Sequence, residues 1–171
     1  MSGAINVFRQ AVGSLADQWL AGGLPSRQKL AEQAEKLDRL REHLKAEGLW
    51  EHPPCMLTAT LDDGLGQGLA IIEKYALAMG MRLISIGLMQ TPQAILDACL
   101  RHQPEYLGLT ILQFDTANDL TLIAENLPRK TRIVAGGPVF SGDSDFAGQT
   151  GVHHTAKNVA VFLRLMLNTA C

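Results

Sequence analysis

From residue 53 onward, the sequence alternates between short apolar segments with strand character and longer segments with helical spacing. The predicted strands span residues 56–61, 82–87, 106–111, 132–135 and 152–154. The predicted helices span residues 68–79, 92–101, 116–126 and 157–168. Strands that alternate with helices pair in parallel, and right-handed crossovers place the helices on both faces of the sheet. The sequence therefore predicts an α/β fold with a five-stranded parallel sheet.

The N-terminal part of the chain lacks this alternation and carries two helical patterns. The first covers about residues 5–20, and the second begins at Ser26, a residue type common at helix N-caps. Each pattern has one apolar face, and such helices are stable only when that face is covered. We therefore predict a helical segment over residues 1–52 and an α/β domain over residues 53–171. The helices then pack on the domain, on a second copy of the chain in a homo-oligomer, or on a partner protein.

Composition and charge exclude several classes of function. The chain has 171 residues and a formal net charge of -2 at pH 7. No apolar run reaches the roughly 18 residues that span a bilayer, and the N-terminus lacks the layout of a signal peptide, so we expect a cytoplasmic protein without a membrane partner. No cluster of lysine or arginine indicates nucleic-acid binding. Cys55, Cys99 and Cys171 lack C-x-x-C spacing and predict neither a disulfide framework nor a zinc site.

The loop after the first predicted strand, LDDGLGQGLA, is rich in glycine. Its G-x-G-x-G spacing differs from the dinucleotide fingerprint, and the chain has no G-K-[ST] sequence of a P-loop. Asp62 and Asp63 suggest a receiver-type acidic pocket, but the third and fifth strands lack the aspartate and lysine that such a pocket needs. Ligands of parallel sheets bind at the carboxyl ends of the strands. We therefore expect a site formed by the loops at residues 62–68, 87–92, 110–116 and 135–142, with residues 62–68 and 135–138 adjacent at the carboxyl edge of the sheet.

Two of these loops carry recognisable motifs. DGLGQG at residues 63–68 is similar to a D-x-H-x-x-G loop, with Asp63 and Gly68 at its ends and Leu65 in the histidine position. The next segment, SIGLMQTPQAI, is similar to a strand and loop of the form D-L-G-x-x-x-x-P. Serine stands near the position of the acid there, while the glycine and the proline agree.

The other two loops extend the match in the same order. GLTILQFDTA at residues 108–117 is similar to an S-x-L segment, with threonine for serine, and VAGGPVF at residues 134–140 is similar to a G-G element. Together the four motifs resemble the corrinoid (vitamin B12) binding domain family. The resemblance covers about residues 54–169.

This resemblance implies a flavodoxin-like (Rossmann-like) fold and cobalamin as the cofactor. In the family, the histidine of the first motif coordinates cobalt and the aspartate orients that histidine. Leu65 has no lone pair, so the resemblance implies no metal ligand from this loop. Glycines let the nucleotide tail of the cofactor approach the backbone, and a hydroxyl offers the tail a hydrogen bond. The cofactor-binding residues implied in this way are Asp63, Leu65, Gly66, Gly68, Gly87, Thr110, Leu112, Gly136 and Gly137.

Three interpretations remain open. The first is a corrinoid carrier that binds cobalamin without a histidine lower ligand and serves a methyl-transfer or radical partner enzyme. The second is a sensor or carrier of haem or another tetrapyrrole. Its axial ligand would be Met89 or one of His153 and His154, which are expected near the carboxyl end of a strand. The third is a cofactor-free, degenerate domain that acts as a protein-interaction module. Because no motif pairs a nucleophile with a base, we predict a non-catalytic, cofactor-carrying subunit of a methyltransferase-type system.

Ordinary structural roles are open to several of these residues. An aspartate after a strand is common as a helix cap, so Asp63 fits that role as well as a cofactor role. Methionine fills irregular core space, so Met89 is predicted to be core, as are Met79 and Met81. Neighbouring residues on a strand point to opposite faces, so His153 and His154 cannot both reach one site.

Overall fold

The computed structural model describes residues 3–170, and Cys171 lies outside them. The helices are α1 (Gly3–Gly22), α2 (Arg27–Leu44), α3 (Gln67–Ala78), α4 (Pro92–His102), α5 (Ala117–Asn126), α6 (Val139–Gly142), α7 (Phe146–Thr150) and α8 (Val159–Thr169), with a 3₁₀ helix at Phe114–Thr116. The strands are β1 (Cys55–Thr60), β2 (Arg82–Gly87), β3 (Tyr106–Thr110), β4 (Arg132–Gly136) and β5 (His154–Thr155). The predicted α/β fold is confirmed.

The five strands form a parallel sheet in the order β2-β1-β3-β4-β5. In the register of the three central strands, Thr60 pairs with Thr110 and Thr110 pairs with Gly136. All six residues of β1 are buried, which is typical of an inner strand of a parallel sheet. The chain adds β2 on one side of β1 and then β3 on the other side, so the strand order reverses between β1 and β3.

The last strand differs most from its prediction. It begins at His154 and has two residues, because the Ile133 N–H on the neighbouring strand donates to Nδ1 of His153 (2.9 Å) and cannot join the ladder. The ladder therefore starts one residue later, at the pair Val134↔His154. Between β4 and β5, where no element was predicted securely, the chain forms α6 and α7, helices of four and five residues.

The chain divides into two compact units. Among the described residues, the helical unit consists of residues 3–54, 71–82 and 158–170, and therefore contains α1, α2, α8 and most of α3. The sheet unit consists of residues 55–70 and 83–157. The predicted domain boundary at residue 52 stays a prediction.

The helical unit has its own aromatic and apolar core. Phe8 and Phe162 are fully buried, as is Tyr75, whose hydroxyl donates to the carbonyl oxygen of Leu30 (2.6 Å). The Tyr75 ring packs edge-on against Trp19, with ring centroids 5.8 Å apart. Burial raises the pKa of Tyr75 above its usual range. Because fully burying such a side chain contributes about 1.5 to 3 kcal/mol, these contacts stabilise the N-terminal helices within a single chain.

The core of the sheet unit is almost entirely aliphatic. Buried side chains of the strands, among them Leu57, Leu107 and Ile133, pack with Ile95 of α4 and Ile123 of α5. Cys55 and Cys99 are both buried. Burial, and to a smaller extent the neighbouring Cys55, raises the pKa of the Cys99 thiol to about 12, so this thiol is protonated and unreactive at neutral pH.

Within residues 3–170, no helix combines the length and the apolar character that crossing a membrane requires.

Candidate functional site

The loop after β1 is held in shape by Asp63. The N–H groups of Leu65 and Gly66 both donate to Oδ1 of Asp63, at 2.8 and 2.9 Å. The carboxylate is buried, with the residue only 7% exposed, and the hydroxyl of Thr60 donates to the Asp63 carbonyl oxygen (2.6 Å). The carboxylate oxygen Oδ1 of Asp63 thus caps two backbone N–H groups of its own loop. Leu65, whose N–H is held by this cap, is 80% exposed.

Thr60 also ties the β1 loop to the loop after β2. The Met89 N–H donates to the Thr60 hydroxyl oxygen (2.9 Å), and the Gln90 N–H donates to the Thr60 carbonyl oxygen (2.8 Å). Met89 has a φ of 53°, a left-handed conformation that is uncommon outside glycine. Its side chain is 60% exposed, so the prediction that Met89 is core filler is wrong. Met79 and Met81 are buried, as predicted.

Asp62 ties the same loop to the loop after β3. Its carboxylate oxygens accept the Leu112 N–H at 2.9 and 3.0 Å, and Oδ2 also accepts the Gln113 N–H at 2.8 Å. These bonds cross the point where the strand order reverses between β1 and β3. Open α/β sheets bind their ligands in the crevice at such a point. Sequence reasoning missed this role, because nothing in the local pattern links residues fifty positions apart.

The three loops joined in this way expose a group of large apolar side chains. We call this group the apolar edge; it consists of Leu65, Leu88, Met89, Leu112 and Phe114. Phe114, which is 50% exposed, rests edge-on against the buried ring of Phe146, with centroids 5.3 Å apart. Clustered exposed apolar side chains mark binding surfaces more often than isolated ones do. Leu88 and Phe114 were not among the predicted cofactor-binding residues, and Met89 was considered only as an axial ligand of haem.

The predicted glycines have different surroundings. A Cβ at Gly136 would lie 2.8 Å from the carbonyl oxygen of Ala156, and a Cβ at Gly137 would lie 1.9 Å from that of Ile111. Contacts inside the protein therefore account for both glycines. At Gly68, by contrast, no atom lies within 4 Å of the added Cβ, so a side chain there would enter open space. Gly66 faces the Leu88 side chain.

The other predicted positions lie at strand ends. Gly87 ends β2 with a φ of 104°, a conformation that favours glycine. Thr110 ends β3 and is half-buried between Thr60 and Gly136. Loops 62–68 and 135–138 were predicted to be adjacent. They follow β1 and β4 and so lie at the same edge, but β3 and its loop separate them.

The two histidines are not placed as the haem interpretation requires. His153 precedes β5 beside the start of β4, where its Nδ1 accepts the Ile133 N–H and its Nε2 lies 3.5 Å from the Arg132 guanidinium. His154 pairs with Val134 in the ladder. Neither residue follows the carboxyl end of a strand, so the expectation that they lie there is wrong. Within residues 3–170, no three histidine, cysteine or acidic side chains come together as a metal-binding group.

Replacing His153 with asparagine is expected to reduce the loss of stability on acidification. Burial, and then the charge of Arg132, lowers the pKa of His153 in the folded state. Wild type should therefore lose stability as the pH falls below the unfolded value of about 6.5 and approaches the lower folded value. Asparagine Oδ1 can still accept the Ile133 N–H but does not titrate.

Urea unfolding of wild type and His153→Asn at about pH 7.5 and about pH 5 measures this difference. His154, whose pKa is also lowered by burial and by Arg132, is present in both proteins and contributes to the pH dependence that they share. An identical loss of stability in the two proteins would show that the His153 ring is not held neutral by this contact.

Comparisons with known proteins show what the fold is similar to. No protein-family model matches the chain, and no curated protein sequence is similar to it. Among solved structures, a cobalamin-binding protein from Desulfitobacterium hafniense DCB-2 has a TM-score of 0.78 and 18% identity, covering 96% of this chain and 80% of that one. The monomethylamine corrinoid protein of Methanosarcina barkeri has a TM-score of 0.63 and 16% identity over the same shares.

A third similar structure is the methanol:cobalamin methyltransferase complex of Methanosarcina barkeri. Its TM-score is 0.66 and its identity is 15%, over 97% of this chain and 65% of that one. At such identities the likeness shows a common fold. This chain therefore has the flavodoxin-like fold that is also found in solved cobalamin-binding and corrinoid proteins.

Proposed function

We propose that this protein is a corrinoid carrier that binds cobalamin at the apolar edge without a histidine lower ligand and presents it to a partner enzyme. The apolar edge is the observation that carries the proposal. Three loops at the strand-order reversal, the usual ligand position of such sheets, turn exposed leucine, methionine and phenylalanine side chains to solvent. The likeness to solved cobalamin-binding and corrinoid proteins supports this choice of ligand.

The residues of the site fit the body of a corrinoid rather than its metal. A corrin ring is a broad, largely apolar surface, and the exposed side chains of Leu65 and Met89 offer apolar contact area for such a surface. Leu65 stands where the related loop has histidine and cannot donate a lone pair to cobalt. In that family, the aspartate that corresponds to Asp63 orients the histidine. Here one carboxylate oxygen of Asp63 holds the N–H groups of Leu65 and Gly66, and so fixes the loop itself.

The chain supplies binding and orientation, and the bound corrinoid would supply the methyl-transfer or radical chemistry. Gly68 leaves open space at the start of α3, which would let the nucleotide tail approach the backbone. Thr110 presents a hydroxyl at the end of β3 for a hydrogen bond to that tail. Reaction with a substrate is then the task of the partner enzyme. The likeness to a methyltransferase complex supports a partner of that class.

Hydroxocobalamin should remain bound to the protein through gel filtration and give corrinoid absorption bands in the protein fraction. Haemin, tested separately, should not be retained. The corrinoid bands should be those of a cobalt that has no nitrogen donor below it, because the nucleotide tail is extended and Leu65 offers no lone pair. Absence of these bands under both oxidising and reducing conditions would contradict the carrier and favour a cofactor-free interaction module.

A pair of matched variants tests the position of the ligand. Phe114 and Leu122 are both about half exposed, at 50% and 47%, but Phe114 belongs to the apolar edge and Leu122 lies on α5. Phe114→Ala is expected to weaken hydroxocobalamin binding, whereas Leu122→Ala should leave it unchanged. Equal effects of the two substitutions would place the ligand elsewhere.

A further inference from the structure

The two loops that flank the strand-order reversal are joined by a carboxylate that belongs to neither a helix nor a strand. Asp62, in the β1 loop, accepts the Leu112 N–H and the Gln113 N–H of the β3 loop at 2.8 to 3.0 Å. Two consecutive backbone N–H groups therefore converge on one negatively charged group. Such charge-assisted hydrogen bonds are roughly twice as strong as neutral ones.

This contact fixes the backbone immediately before Phe114. On its other side, the Phe114 ring is held by Phe146, and a Cβ added at Gly142 would lie 3.3 Å from the ring. The segment that carries Leu112 and Phe114 is thus anchored at both ends, by a carboxylate and by a buried ring. Without the carboxylate, nothing in these contacts would hold the first end against the β1 loop.

We propose that Asp62 is a positioning residue that sets the distance between the two sides of the ligand site. Both of its oxygens accept backbone N–H groups of the β3 loop, so its effect on the site runs through the segment that carries Leu112 and Phe114. This inference rests on the proposed function. Asp62 and Asp63 then have different roles: Asp62 joins the β1 loop to the β3 loop, whereas Oδ1 of Asp63 accepts N–H groups of the β1 loop itself.

Asp62→Ala should weaken hydroxocobalamin binding about tenfold, the effect of about 1.4 kcal/mol. Asp62→Asn keeps one acceptor oxygen and should show a smaller loss. Asp97→Ala serves as the control, because Asp97 accepts from Gln93 Nε2 (2.7 Å) on the exposed side of α4 and its loss changes the charge equally. Thermal unfolding will test whether each variant is folded. If Asp62→Ala does not fold, Asp62→Asn still tests the role of the carboxylate.

Two further measurements separate positioning from general stability. Hydrogen exchange of the Leu112 and Gln113 amides should become faster in the Asp62 variants, with core amides unaffected. In a double-mutant cycle, the effect of Asp62→Ala on binding should be smaller in the Phe114→Ala background, because the carboxylate acts partly through that side chain.

The possible results separate this inference from the proposed function. If wild type does not retain hydroxocobalamin, the proposed function fails and this inference fails with it. If wild type binds and both Asp62 variants bind equally well, the positioning role alone is overturned. An Asp62→Ala effect that is just as large in the Phe114→Ala background would also overturn it.

Discussion

Replacing Gly137 with alanine should cost at least about 4 kcal/mol of unfolding free energy, a loss large enough to indicate a specific structural cause. The new Cβ would lie 1.9 Å from the carbonyl oxygen and 2.8 Å from the carbonyl carbon of Ile111. These are backbone atoms next to β3, and the Ile111 N–H donates to the Gly136 carbonyl oxygen (2.9 Å), so they cannot move without breaking that bond. The φ of 126° adds strain for any side chain.

The same substitution at Gly68 provides the control. There the added methyl group meets no atom within 4 Å, and alanine is favoured over glycine in a helix by about 0.5 to 1 kcal/mol. Urea unfolding should therefore show a large loss for Gly137→Ala and no loss for Gly68→Ala. Wild-type stability in Gly137→Ala would mean that the two strands are not as close as the structure has them.

The difference between Gly137 and Gly68 decides which position is better for testing the approach of the nucleotide tail. A bulky residue at Gly137 would disturb the sheet before it could block a ligand, whereas at Gly68 the first side-chain atom, Cβ, enters open space. Gly68→Trp is therefore the cleaner variant for blocking a nucleotide tail. That Gly137 itself admits the tail stays a prediction.

The strands could be predicted because each is a short apolar segment between turn residues, and the parallel order followed from their alternation with helices. β5 was placed too early because its start depends on a contact between the His153 ring and the Ile133 N–H, which no local pattern reveals. α6 and α7 were not predicted because helices of four and five residues are too short to show periodicity.

The position of the candidate site also followed from topology, since the loops at the carboxyl ends of parallel strands share one edge. Its internal organisation did not. Thr60 and Asp62 act on residues that are 29 and 50 positions away, and their partners are backbone N–H groups that any residue type provides. Met89 was assigned to the core from its residue type alone, whereas its backbone contact with Thr60 leaves the side chain exposed.

Leu65→His is expected to change the spectrum of bound cobalamin from that of a cobalt with no nitrogen below it to that of a histidine-ligated cobalt. The side chain at this position is 80% exposed, so an imidazole fits without disturbing the core. The backbone of the loop is fixed by Asp63, which accepts the Leu65 and Gly66 N–H groups, so the new ring would start from a defined position. Ligation requires a neutral imidazole, so the change should fade on acidification.

Leu65→Phe is the matched control, because a phenyl ring resembles imidazole in shape but has no lone pair. It should bind cobalamin with the wild-type spectrum, and Asp62→Ala should weaken binding in both backgrounds. If Leu65→His binds cobalamin and its spectrum stays that of wild type, the leucine does not lie beneath the cobalt and the corrinoid sits elsewhere on the apolar edge. If neither wild type nor Leu65→His retains a corrinoid, the exposed leucine belongs to a surface that meets a protein, and the interaction module becomes the better account.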